Sequence, residues 1–538
     1  MQTLLVGLDA ACFPVLRPLF EDGDLPHLES VFEDGATGEL ESQIPPWTAS
    51  AWPSLYTGAN PGKHGVFDFL RFDGYDWDIV NATDVRERTL WEYADDAGLT
   101  SVVVNAPVTS PPPEIDGAVV PGYLASEDPR CHPEGILDDV REELGDYRVY
   151  ARRETDERAG DDRFEDYLEL ARMRGGAFRY LADRFDPEFG FVQFQKTDAV
   201  FHDYPGDHEK VRAIYREVDE QVGEILAECD PDTVVVASDH GMGEYEGHEF
   251  RVNQFLREAG VVETTTGGQG VPSWFKIKDE QLTEGERGGD DDGDSGRPLL
   301  ERLAATAASV GITYQRGKAV LERLGLAEFV GRHVPVGAVF AASDAVDFRA
   351  SRAYLRSPSE LGVRLNLEGR DPDGVVPAGE YERVRDEIIS LLSNATTPEG
   401  TPVFEEVVAR EEYIYGPYAD EAVDLLAVPT DFQHSLSALV GEEFGDPEPW
   451  NHKPEGVVAL AGDAVDSDAD LTGAHLFDVA PTVLATLGLA PADLMDGDAL
   501  SGVDAPEPRS YPEYDPATQE STEDEDVAER LSDLGYLE

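Results

Sequence analysis

The sequence predicts an α/β fold: a central, mostly parallel sheet covered by helices on both faces, with an inserted cap region. Three observations predict it. Short apolar runs are continuous rather than alternating, as in strands buried on both faces. Through the first 240 residues these runs alternate with stretches of helical spacing, the order that builds a parallel sheet. After a loosely patterned interruption, the same kind of strand and helix resumes late in the chain.

In chain order, Thr3–Leu8, Ser101–Asn105, Phe189–Gln195 and Thr233–Ser238 read as buried strands. Between them, Thr89–Ala97, Phe164–Arg184 and Glu209–Glu228 carry apolar residues at helical spacing. The pattern loosens from about Val262. Residues 284–296 are only Gly, Asp, Glu, Arg and Ser, the composition of an exposed mobile loop. Leu299–Val330 is helical again, and Gly362–Leu367 with a helix over Tyr381–Leu392 resumes mixed structure. Strands at Asp424–Val428 and Gly456–Ala461 and a helix near Val479–Leu487 read as a return to the first core. The expected organisation is therefore a core at 1–261, an insertion at 262–395, the second part of the core at 396–504, and an acidic tail at 505–538. The tail is Pro- and acid-rich and reads as an extended or loosely docked arm. There are no internal repeats.

The 538 residues include 111 acidic and 42 basic ones, a formal charge of −69, and mean hydropathy is −0.37. Such a surface repels phosphate backbones and anionic lipid, which argues against a nucleic-acid or membrane partner. With 23 Phe, 20 Tyr and 6 Trp the chain still has material for a large core. Only 7 of the 42 basic residues are Lys. Acid-rich, lysine-poor surfaces suit molar salt, where the Debye length shrinks to about 3 Å and self-repulsion is weak. The charge thus reads as halophilic adaptation. The three cysteines, Cys12, Cys131 and Cys229, are too scattered for a disulfide framework or a metal pair. Thr3–Leu8 lacks a basic flank and runs into Asp9, and no apolar run approaches the roughly 18 residues that span a bilayer. The expected location is cytoplasmic.

Open parallel sheets bind ligands beyond the carboxyl ends of their strands. Strand one ends in Asp9, Phe189–Gln195 leads into Asp198 with His202 at i+4, and Thr233–Ser238 leads into Asp239-His240-Gly241. Singly these are ordinary: Asp after a strand is often a turn former or cap, and Asp198 with His202 is often an exposed pair. Together they bring three carboxylates and two imidazoles to one sheet edge, enough to begin two divalent-metal sites. Between Pro45 and Gly65, Thr48, Ser50, Ser54 and Thr57 lie near a predicted helix start, where free N–H groups favour an anion. A hydroxyl there is either a nucleophile or a helix cap. The cap reading fits Ser50 or Ser54 better than Thr48.

Taken in order, Asp9, Thr48 with Thr57-Gly58 and His64-Gly65, Asp198-xxx-His202 and Asp239-His240-Gly241 resemble the alkaline phosphatase superfamily, and within it the type I phosphodiesterase/nucleotide pyrophosphatase family. The resemblance spans Met1 to about Gly260 and about Asp347 to Gly488. It implies a phosphate-ester hydrolase with two divalent cations, zinc in the family and manganese as the other choice. One cation would be held by Asp9, Thr48, Asp239 and His240. The other would be held by Asp198, His202 and a late histidine. Asn451-His452-Lys453-Pro454-Glu455-Gly456-Val457-Val458 matches the family's His-before-strand pattern, which assigns His452. His475 is the rival, but it precedes a helix with Asp478 and Pro481 and reads as structural. His27, His64, His132, His208, His248, His333 and His434 match no motif. The resemblance makes Thr48 the nucleophile, through a phospho-threonine intermediate, and a small phosphate ester the substrate. The chain departs from the nucleotide pyrophosphatases at Asp68-Phe69, where they carry Asn. It also lacks the Cys/Ser-x-Pro-x-Arg motif of sulfatases. A phosphomonoesterase or phosphoglycerate-mutase-like phosphotransferase on the same fold, or a non-catalytic metal-stabilised binding protein, are the other readings.

Overall fold

The computed structural model describes residues 1–151, 161–266, 344–512 and 514. The acidic segment 284–296, the helical stretch Leu299–Val330 and the tail beyond residue 514 lie outside the described residues. An eight-stranded sheet forms the centre. Its strands are β1 (Thr3–Leu8), β2 (Ala36–Glu41), β3 (Ser101–Val104), β4 (Gly117–Val120), β5 (Phe189–Phe194), β6 (Thr233–Ala237), β7 (Glu455–Gly462) and β8 (Ala474–His475), in spatial order β8-β2-β7-β6-β1-β5-β3-β4. β1 pairs in parallel with β5 on one side and β6 on the other. Only β7 runs against its neighbours.

Every residue of β1, β5 and β6 is buried. Leu4, Val6 and Leu8 of β1 pack toward the helices α2 (Asp161–Phe185) and α4 (His208–Cys229), while Leu5 packs toward α1 (Thr48–Thr57) and α5 (Val479–Thr486). Continuous apolar runs follow from covering both faces. Gly7 is required by close approach: a Cβ there would lie 2.5 Å from the Trp52 ring of α1. The sequence reading passed over β2 and β4. β2 is only partly buried, with Gly and Glu inside it, and β4 is four residues long.

The predicted strand at Asp424–Val428 forms one residue later, as Leu425–Pro429, and it does not return to the central sheet. It lies in a separate four-stranded antiparallel sheet with Ala353–Tyr354, Gly362–Leu365 and Phe404–Ala409. Helix Tyr381–Ser393 covers that sheet, and the two share a third core. The smaller module therefore crosses the boundary drawn at residue 395. A buried apolar strand reads alike in either sheet; pairing partners decide which it joins. Asp424, fully buried, is held there by Arg370 at 2.7 Å and by the Leu365 N–H and the Tyr381 hydroxyl. The start of the tail is docked: the Tyr511 hydroxyl donates to the Ala490 carbonyl and its ring packs edge-on against Tyr93. Among the described residues no helix is long and apolar enough to cross a membrane.

Candidate active site

Three adjacent parallel strands, β5, β1 and β6, end at one place. Asp9 is the residue after β1. Asp198 and His202 stand one turn apart on α3 (Lys196–Asp203), which starts just beyond β5, and Asp239 and His240 follow β6. His452 arrives from far along the chain, just ahead of β7, which joins the central sheet. It sits in the short strand Trp450–Lys453, paired antiparallel with Gly241–Glu244 so that His452 faces Met242. That pairing brings its ring onto His240, with centroids 3.7 Å apart and the planes nearly parallel. Thr48 is the first residue of the buried helix α1, and its hydroxyl lies 3.2 Å from His240 Nε2.

Two groups of ligand-type atoms result, each within 4.8 Å: Asp9, Asp239 and His240, and Asp198, His240 and His452. His202 joins the second group, with its Nε2 3.3 Å from Asp198 Oδ1 and 3.2 Å from His452 Nε2. His240 Nε2 lies 3.2 Å from Asp239 Oδ2 and 3.5 Å from Asp9 Oδ1. The other nitrogen of each inner imidazole faces a carbonyl: His240 Nδ1 that of Gly241 at 2.9 Å, and His452 Nδ1 that of Pro46 at 3.0 Å. Each Nδ1 therefore donates, and each Nε2 lone pair is turned inward, the usual support of a metal-ligating histidine.

The carboxylates are asymmetric as well. Among the described residues nothing donates to the buried Asp9 Oδ1 and Asp239 Oδ2, and Asp198 Oδ1 lies 3.3 Å from His202 Nε2 and 3.4 Å from His452 Nε2, whereas Asp9 Oδ2 accepts from Trp52 and Gln193, and Asp239 Oδ1 from the Ala10 N–H. Burial, then repulsion from Asp239 and Asp198, pushes the Asp9 carboxyl well above its usual range. Burial and Asp198 do the same to Asp239. Against the effect of burial, His202 and His452 hold Asp198 well below that range. Burial and the neighbouring His452 keep His240 neutral. The repelling oxygens of Asp9 and Asp239 face the lone pair of the neutral His240, and Asp198 faces His202 and His452; together they form a donor set that suits divalent cations. The residues present fit two of them.

The other hydroxyls of α1 are committed elsewhere. Val66 N–H donates to His64 Nδ1, so His64 Nε2 carries the proton and donates to Ser54 Oγ at 2.8 Å. Ser54 donates to Gln43 Oε1, Gln43 Nε2 to Ser50 Oγ at 2.8 Å, and Ser50 to the Trp47 backbone carbonyl. Burial takes the His64 pKa down to about 3 and keeps it neutral in this chain of bonds. Thr57 donates to the Pro53 carbonyl. Neither Ser50 nor Ser54 caps the helix, and only Thr48 among these hydroxyls reaches the ligand groups. His475 accepts from Phe477 N–H at a helix start, in the structural place expected of it.

A model of the type I phosphodiesterase / nucleotide pyrophosphatase family matches residues 3–298, more than half of the chain. The chain belongs to this family. It is by that membership an enzyme of the phosphoester-hydrolase class. Its fold is also that of solved structures of low identity. Phosphonoacetate hydrolase from Sinorhizobium meliloti 1021, in complex with phosphonoacetate, matches at TM-score 0.54 and 16% identity, over 90% of this chain and 95% of that one. The wild-type alkaline phosphatase PafA matches at TM-score 0.51 and 13% identity, over 92% and 98%. Both place the central sheet in an alkaline phosphatase-like fold. No curated protein gives a significant sequence match.

For a member of the phosphodiesterase family, the structure gathers all seven residues singled out from the sequence: Asp9, Thr48, Asp198, His202, Asp239, His240 and His452. Sequence reasoning missed the layer behind them. Gln193 interrupts the otherwise apolar strand Phe189–Phe194, which was the available signal; Asn105, Trp52 and Tyr245 gave none. The Tyr245 hydroxyl donates to the His452 carbonyl at 2.7 Å. Asp68, at the departure from the family's Asn, is buried. Its Oδ1 accepts from the Phe69 N–H and the Ser359 hydroxyl, and among the described residues nothing donates to its Oδ2. Burial, with Glu360 adding to it, pushes this carboxyl up to about 6.

Proposed function

We propose that the protein hydrolyses small phosphate esters, with Thr48 as nucleophile and two divalent cations held by Asp9, Asp239 and His240 and by Asp198, His202 and His452. The observation that carries this reading is the position of Thr48: its hydroxyl lies against His240 Nε2, the imidazole common to both ligand groups. When bound, the cations would supply charge neutralisation for the phosphoryl group and a lowered pKa for the Thr48 hydroxyl. Zinc fits the mixed carboxylate and imidazole set, and manganese is the second choice.

The chain's own residues then do the following. Thr48, at the start of α1, presents its oxygen where helix N–H groups face an anionic phosphoryl oxygen. Its alkoxide attacks phosphorus, the opposite P–O ester bond breaks, and the alcohol or aryl oxide leaves. Water then cleaves the phospho-threonine, which releases the phosphoryl product and restores the hydroxyl. Trp47, the residue before α1, adjoins Thr48 in the chain and His452 in space, with its ring 4.4 Å from the imidazole. The lysine-poor, acidic composition supports work at high salt.

The test is a screen of the purified protein at high salt against aryl phosphate monoesters and diesters, aryl phosphonates and aryl sulfates, with bound metal measured. Turnover of a phosphorus ester that stops on metal removal and returns with Zn2+ or Mn2+ is expected. Turnover unchanged by chelation, or sulfate hydrolysis in preference to phosphate, would overturn the reading. The ratio of monoester to diester turnover separates a phosphomonoesterase from a phosphodiesterase.

A further inference from the structure

Behind Asp9 lies a row of buried polar side chains that neither the family match nor the fold comparison assigns. It crosses three neighbouring strands at their carboxyl ends. Asn105 follows β3, Gln193 belongs to β5, and Asp9 follows β1. Asn105 Nδ2 donates to Gln193 Oε1 at 2.7 Å and to the Gln193 carbonyl at 3.0 Å. Gln193 Nε2 donates to Asp9 Oδ2 at 2.8 Å, and Trp52 Nε1 reaches the same oxygen at 3.3 Å. Asp9, Gln193 and Trp52 are wholly buried, and Asn105 is 3% exposed.

The direction of this row is fixed by chemistry. Asp9 must be ionised to hold a cation and then only accepts, so the Gln193 amide turns its nitrogen to Asp9 and its oxygen away. In a dry strand that oxygen needs a donor, and Asn105 supplies it. Asn105 holds a left-handed backbone conformation (φ +66°), a state that Asn tolerates better than most residues. The outcome is a carboxylate with one oxygen saturated by two donors and the other, Oδ1, without a donor among the described residues and 3.5 Å from His240 Nε2. We infer that Asn105 and Gln193 are positioning residues: they fix which oxygen of Asp9 is offered to a cation, and so set the affinity of the site shared with Asp239 and His240. This inference rests on the two-cation reading. Supporting partners of this kind typically change metal affinity by about 10–100-fold when removed.

The experiment is a Zn2+ titration of the full-length, chelator-stripped protein against a chromophoric chelator, at one fixed high salt. The wild type, Gln193→Met, Asn105→Ala and Asp9→Asn are compared, and the melting curve of each metal-free protein is recorded. Gln193→Met keeps the volume and removes the donor to Asp9. Asn105→Ala touches Asp9 only through Gln193, so it serves if Gln193→Met does not fold. The expected result is two bound ions in both variants, one of them weakened about 10–100-fold, with the other at wild-type affinity. Asp9→Asn should weaken that same ion. If Asp9→Asn weakens it while Gln193→Met and Asn105→Ala bind both ions as the wild type does, the positioning role is overturned and the metal reading stands. If the wild type binds fewer than two ions, the metal reading fails and this inference fails with it.

Discussion

Thr48 differs from the hydroxyls around it by what it lacks. Ser50, Ser54 and Thr57 each donate to an acceptor within or beside α1, whereas among the described residues Thr48 Oγ1 faces His240 Nε2 alone. Thr48→Ala should lower kcat by on the order of 10³-fold or more with an unchanged melting temperature, and Thr48→Ser should keep measurable turnover. Wild-type turnover in Thr48→Ala would move the nucleophile elsewhere. Asp68 yields a second expectation, on stability. Its folded pKa of about 6 lies above its ordinary 3.8, so the folded state holds a proton that the unfolded chain has released. Stability is therefore lost as pH rises from about 4 through about 6, and the loss is complete above that. In Asp68→Asn the Oδ1 acceptor remains while the charge is gone. Urea unfolding should find this variant more stable than wild type by about 2–3 kcal/mol at pH 8, with the gap shrinking toward pH 4. A gap independent of pH would mean that Asp68 is not the titrating group.

At the scale of elements, the pairing of Trp450–Lys453 with Gly241–Glu244 decides whether His452 reaches the site. Gly241 is closely packed just beyond the strand Trp450–Lys453, where a Cβ would run into the Glu455 carbonyl oxygen at the start of β7. Gly241→Ala should therefore cost about 1–3 kcal/mol by overpacking, and it should weaken the ion held with His452 by displacing the paired strand. His452→Ala removes the ligand itself. Metal analysis should then show one ion fewer per chain, with the Asp9, Asp239 and His240 site still filled. Two ions in His452→Ala would return attention to His475, although His475 already accepts from the Phe477 N–H at a helix start.

For the whole molecule, the charge of −69 sets the conditions under which the fold persists. Many arginines already sit against carboxylates, as Arg212 does against Asp22 and Arg356 against Glu360, yet acidic residues outnumber basic ones by 111 to 42. The excess repels itself over about 10 Å at 0.1 M salt and about 3 Å at 1 M. The melting temperature should rise steeply between about 0.1 M and about 1 M KCl, as screening sets in. A melting temperature flat across that range would remove the halophilic reading and leave the site unaffected.

Much of the fold was legible because burial on both faces forces continuous apolar runs, and strands β1, β3, β5 and β6 formed within a residue of the predicted spans. Asp9, Asp198 and His240 were legible for a related reason, since a parallel sheet delivers whatever follows its strands to one edge. Strand β2 was not, because it is only partly buried. Nor was the destination of Leu425–Pro429, which pairs in the smaller sheet. The motif and the strand predicted just after it suggested His452, but pairing of Trp450–Lys453 with Gly241–Glu244 is what puts the ring on His240. Asn105 and Gln193 lie 88 positions apart and touch only because β3 and β5 are neighbours. The sequence by itself determined which residues are apolar, which follow strands and which carry ligand atoms, since those are properties of local order. Tertiary structure alone decided which oxygen of each carboxylate is left unbonded and which nitrogen of each imidazole faces inward. Those choices depend on hydrogen-bond partners supplied by segments far away in the chain.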